Sequence, residues 1–155
     1  MKKIFLLLVI TFASIYAQNL KIGSDIQMLN NFEYETPKSR KMKIPLNTKT
    51  LLIAFDKDTG ALVNEYLATK NKYFLQKKKA IFIADINKMP TVVTNMFALP
   101  KLRKYKHLIY LHYNEKFQNA VPKKDEKISV VRFEDKKVKS ISYISTQEEL
   151  KKVFD

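Results

Sequence analysis

Ile128-Ser129-Val130-Val131-Arg132-Phe133 and Val138-Lys139-Ser140-Ile141-Ser142-Tyr143-Ile144 flank Glu134-Asp135-Lys136-Lys137. Two β-rich runs around a short polar stretch predict a hairpin of two antiparallel strands. The residues that follow, Thr146-Gln147-Glu148-Glu149, fit a capping box, in which Thr and Glu side chains satisfy the free amides of a helix start. Leu150, Val153 and Phe154 then give that helix a single apolar face. Hairpin plus closing helix is the most sharply written part of the chain.

Working back from it, His107 to His112 predicts one strand and Ala80-Ile81-Phe82-Ile83-Ala84 another. Leu51-Leu52-Ile53-Ala54-Phe55 is an unbroken apolar run, the mark of a central strand covered on both faces. Between these runs lie two helical patterns. One carries Leu62, Val63, Tyr66 and Leu67. The other starts near Pro90, carries an apolar stripe of Val92, Val93, Met96 and Phe97, and should kink or restart at Pro100. Phe32–Thr36 and Lys41–Pro45 alternate around a Pro37–Arg40 turn and predict an N-terminal hairpin. The expected order is hairpin, βαβαβ, hairpin, helix, so the sheet should be parallel at its centre.

The chain opens with Lys2 and Lys3, an apolar stretch from Ile4 to Phe12, and a small-residue exit ending at Ala17. These three parts predict a cleavable signal peptide over residues 1–17 and a mature chain from Gln18. The apolar stretch falls short of the ~20 residues that span a bilayer. Residues 18–155 suit one domain. The expected location is outside the cytoplasm, the periplasm before the extracellular space.

The 155 residues contain no cysteine. Thiol chemistry and iron–sulfur ligation by this chain are therefore excluded. With 29 basic and 15 acidic residues the formal charge is +14, and only Arg40, Arg103 and Arg132 are arginines. A lysine-dominated excess attracts polyanions generally, without the bidentate recognition that arginine provides. For an exported chain the expected partners are an envelope protein or an anionic envelope surface, and nucleic acid is not an expected target.

Most of residues 20–155 resembles the thioredoxin-like superfamily, particularly its exported branches with an N-terminal hairpin. Ser129–Val138 resembles the family's strand, tight turn and return strand. Ser145–Phe154 resembles its closing helix, and the run ending at Phe55 resembles the strand that delivers the redox motif. The resemblance implies a thioredoxin-like α/β sandwich, with a mixed central sheet flanked by helices and an N-terminal β-hairpin extension. It also implies where an active site would sit. The family carries Cys-x-x-Cys at the start of its first long helix; spacing puts that place at Gly60–Val63, which has no nucleophile. The family's cis-proline falls at Ile128, where an ordinary trans peptide is expected. The resemblance therefore implies the fold without the usual redox activity.

The expected contact surface is the place of the lost active site: Asp56, Asp58, Thr59 and Gly60, the loop before Ile128, and the region of Pro100. No catalytic residue, cofactor or metal ligand set is assigned. An alternative is a magnesium-dependent phosphatase-like hydrolase, with Asp56 and Asp58 as nucleophile and acid. Against it, Thr59 and Gly60 stand in reverse of the usual order and Asp85 has no acidic neighbour in sequence. The bland reading is a βα loop capped by Asp58 or Thr59. His107 and His112, five apart on a predicted strand, should face opposite sides and are expected at the surface or half-buried. Lys77–Lys79, Lys101–Lys106 and Lys123–Lys124 lie near Tyr73, Phe74 and Tyr105. If these clusters converge in space, an anionic envelope surface is the expected target; a third reading is a general polyanion-binding protein acting through lysine.

Overall fold

The computed structural model describes residues 19–155, so the signal-peptide reading of residues 1–17 lies outside the described residues. Seven strands form one sheet: β1 (Tyr34–Glu35), β2 (Lys41–Met42), β3 (Thr50–Ala54), β4 (Ala80–Asp85), β5 (Tyr110–His112), β6 (Ile128–Glu134) and β7 (Lys137–Ile144). Their spatial order is β2-β1-β5-β4-β3-β6-β7. β3, β4 and β5 are parallel; β6 runs antiparallel to β3, and both hairpins are antiparallel. The sheet is thus mixed, with the expected parallel centre.

The continuous apolar runs become the central strands because both of their faces are covered. Side chains alternate across a strand. Leu52 and Ala54 enter one core with α1 (Lys57–Ala68), α2 (Phe74–Lys77) and α6 (Gln147–Phe154). Leu51, Ile53 and Phe55 enter a second core, with a 3₁₀ helix (Ile26–Asn31) and α5 (Glu115–Ala120). The β6–β7 turn holds Asp135 and Lys136 at φ 49° and 65°, which gives the tight two-residue reversal of a hairpin. In the closing helix, Thr146 Oγ1 accepts from Glu149 N at 3.1 Å and Glu149 Oε2 accepts from Thr146 N at 3.1 Å, completing the expected box.

A strap precedes the sheet. Gly23 N donates to Val138 O at 2.8 Å, Val138 N to Ser24 O at 2.9 Å, and Ile26 N to Lys136 O at 2.8 Å. Leu20 N donates to Ala120 O at 2.7 Å, so the same segment also ties down the end of α5. Gly23 sits at φ 86°, a backbone that glycine adopts without strain.

Three expectations change. The His107–His112 strand is shorter, and His107 and His112 are both buried, at 7% and 2% exposure. Helices α2 and α5 were not expected. The third change concerns the second long helix. It consists of α3 (Thr91–Val93), a π turn (Thr94–Ala98) and α4 (Leu99–Leu102). Pro100 has no N–H for a regular bond back to Met96 O, and the wide turn absorbs that loss, with Leu99 N donating to Thr94 O. Met89, Leu99 and Leu102 pack against the core. Val92, Val93, Met96 and Phe97, the apolar stripe of this segment, point away from that core and stand 65%, 41%, 64% and 66% exposed.

Candidate functional site

The carboxyl ends of the parallel strands hold the residues singled out as a contact surface. Asp56, after β3, caps α1: its Oδ1 accepts from Thr59 N at 2.8 Å. Asp56 itself, and neither Asp58 nor Thr59, is the cap. Asp58 is exposed, Thr59 is buried, and Gly60 already lies within the first turns of α1. The helix therefore opens at Lys57, and the helix start where a redox motif would sit is Asp56–Thr59, earlier than the expected Gly60–Val63.

A concavity of about 680 Å³ joins Phe55–Thr59 to Lys88, Lys123, Asp125 and Glu126. It brings the βα loop beside the loop before Ile128. Ile128 itself is fully buried in the core, and no cis peptide occurs among the described residues. Pro100 is exposed on α4 and does not line this concavity. Lys123 pairs with Asp125 at 3.7 Å and lies 5.6 Å from the Phe55 ring centre.

Asp85, at the end of β4, is buried and pairs in register with His112. Burial pushes its carboxyl above the usual range, although Asn87 opposes this by donating from Nδ2 at 2.7 Å and from its backbone N at 3.1 Å. Among the described residues, no group of three or more His, Cys, Asp or Glu side chains could hold a metal ion. His112 is fixed by Glu33 O at 2.8 Å and Asn114 O at 2.9 Å.

A second, larger cleft of about 830 Å³ opens at the opposite end, around the amino-terminal ends of β4 and β5. Lys38 and Arg40 reach it from the β1–β2 turn, Lys72 and Tyr73 from the approach to α2, and Lys79 from the start of β4. Arg103, Tyr105 and Lys106 come from the segment between α4 and β5. Six cationic side chains line the cleft, and no carboxylate does. Among the described residues the only ion pairs are Lys123–Asp125 and Lys139–Glu134, so none of the six is neutralised by an acid.

Local structure fixes several of these groups. Arg103 Nε donates to Pro37 O at 2.8 Å, tying α4 to the β1–β2 turn and positioning the guanidinium. Lys79 adopts φ 50°, and its carbonyl accepts from Lys49 N at 2.7 Å. Lys72 Nζ lies 4.7 Å from the Tyr73 ring centre. His107 forms part of the wall. Burial lowers it to about 4, so it is neutral at pH 7, and its Nε2 lies 2.9 Å from the Asn64 Oδ1 acceptor. Six like charges line one depression, with tyrosine side chains beside them, and their summed field attracts anions. Of the basic clusters marked in the sequence, Lys79, Arg103 and Lys106 line this cleft; Lys77, Lys78, Lys101, Lys104, Lys123 and Lys124 do not.

No protein-family model matches the chain, and no curated protein does. Solved structures do. The bacterioferritin comigratory protein of Xanthomonas campestris, whose alkyl peroxide reduction activity is described, superposes with a TM-score of 0.55. It is 10% identical, over 87% of this chain and 93% of that one. An uncharacterized thioredoxin-like protein from Porphyromonas gingivalis superposes with a TM-score of 0.51 at 12% identity, over 79% of this chain and 86% of that one. Identities this low carry the architecture and nothing of the chemistry. The chain thus has a thioredoxin-like fold, built without a single cysteine.

Proposed function

We propose that this chain is an exported, non-redox binding or accessory protein, which uses a thioredoxin-like scaffold to hold an anionic envelope component. The observation that carries this reading is the cleft with six cations and no carboxylate. An anion entering it relieves repulsion among fixed charges, and the tyrosines offer flat faces for sugar or alkyl groups. The tripartite pattern of residues 1–17 supports the export part. The Phe55–Thr59 concavity at the other end is left for a second contact.

Inorganic polyphosphate is a direct probe. Binding to the full chain should weaken steeply between low and moderate salt. The triple variant Arg40→Gln/Lys79→Gln/Lys106→Gln should lose roughly tenfold or more in affinity, with a salt slope shallower by about two to three. Lys151→Gln/Lys152→Gln, on α6, is the control and should change little. Equal losses in both variants would reduce the cleft to diffuse surface charge. The export part has its own check: protein recovered from cell envelopes should begin at Gln18, and material retaining Met1 in the cytoplasm would sink it.

A further inference from the structure

We infer that the face of the α3–π–α4 segment carrying Val92, Val93, Met96 and Phe97 docks on an anionic lipid surface. This deepens the proposed function, on which it rests, by naming phospholipid as the envelope component met by this face.

Four apolar side chains project from consecutive turns of one segment, each at least 41% exposed. Burying them in water-free surroundings is favourable in proportion to the area covered. None of the four lines either concavity, so they protrude rather than shape a groove. A protein partner would need a pocket matched to these protrusions. A fluid acyl layer accommodates them without one.

Charge selects between partners as well. From Ile86 to Asn114 the chain has no aspartate or glutamate, while Lys88, Lys101, Arg103, Lys104 and Lys106 lie in the same stretch. Lys88, Lys101 and Lys104 are exposed on either side of the apolar residues. Apolar side chains flanked by long cationic ones match the layering of an anionic bilayer surface: rings and thioethers below the headgroups, ammonium groups among the phosphates. No helix among the described residues is long and apolar enough to cross a membrane, so the contact is one of surface docking. The segment ends at Leu102 and Arg103, both of which line the basic cleft, so headgroups beyond the apolar patch lie toward its cations.

The chain has no tryptophan, so Phe97→Trp introduces a single reporter at a site that is two-thirds exposed. Its emission should shift to the blue with phosphatidylglycerol vesicles, and bromine-labelled acyl chains should quench it. With phosphatidylcholine vesicles the shift should be much smaller. Met96→Ser/Phe97→Ser should cut vesicle affinity roughly tenfold to a hundredfold while leaving polyphosphate binding and the unfolding midpoint unchanged. Four results would overturn the inference. Vesicle binding with no shift would mean that the cleft alone meets the headgroups. No vesicle binding with polyphosphate binding intact would remove lipid and leave the proposed function standing. A shift without vesicles in a protein that sediments as a dimer would give the face to a second copy. Loss of both vesicle and polyphosphate binding would remove the inference and the proposed function together.

Discussion

Phe117→Ala should destabilise the protein by about 3–5 kcal/mol, the range for truncating a fully buried aromatic side chain. Phe117 is 0% exposed and is the one buried residue of α5. Its ring meets His112 at 4.6 Å, Phe32 at 5.3 Å and Tyr34 at 5.9 Å between centres. A six-residue helix has too few backbone bonds to persist alone, so this ring is what fastens α5 to the sheet. Urea unfolding should show the loss in full, and the thermal midpoint should fall by on the order of 10–15 °C. Phe117→Leu should recover more than half of the difference, because it refills most of the volume. A cost below 1 kcal/mol for the alanine variant would show that the 3₁₀ helix and the strap close over the cavity.

Acid should cost the wild-type protein roughly 3 kcal/mol through His107 alone. The ordinary histidine value is 6.5, and burial lowers His107 to about 4. Between those values the unfolded chain takes up a proton that the native chain refuses. Stability from this group is therefore complete above about pH 6.5 and is lost as pH falls through the native value near 4. His107→Gln keeps an amide donor for Asn64 and removes the titration. Urea midpoints at pH 7 and pH 4.5 should differ less in the variant than in the wild type. Equal pH dependence would mean that His107 is protonated without opening the fold. The same titration matters for the cleft, because a cationic His107 in its wall would raise the local positive charge.

What could be read from the sequence divides along physical lines. The Ile128–Ile144 hairpin, the Thr146 box and the β3 and β4 cores rest on local patterns, and local patterns are written in consecutive residues. α5 escaped because one buried residue makes no periodicity. The 92–97 stripe shows that a helix has an apolar face; it does not say where that face points. The π turn before Pro100 separates its phase from that of Leu99 and Leu102. The histidines escaped for another reason: their partners, Asn64 and Glu33, lie 43 and 79 residues away and become neighbours only through the fold. The cleft is a product of strand order. Placing β5 between β1 and β4 brings residues 38–40, 72–79 and 103–106 together, and no sequence window contains all three.

The strap from Gly23 to Ile26 has a consequence for how the molecule is born. Its backbone partners are Lys136 and Val138, and Ile26 shares a core with Val138. During synthesis the early residues therefore wait, without a docking place, until the last hairpin has left the ribosome. β3 waits in the same way, since its outer neighbour β6 follows some 80 positions later. Such non-local closure is slow compared with forming a helix or a turn. The strap and the β3–β6 edge therefore close late, after the residues of β6 and β7 have been made, while β3, β4 and β5 can already pair with one another.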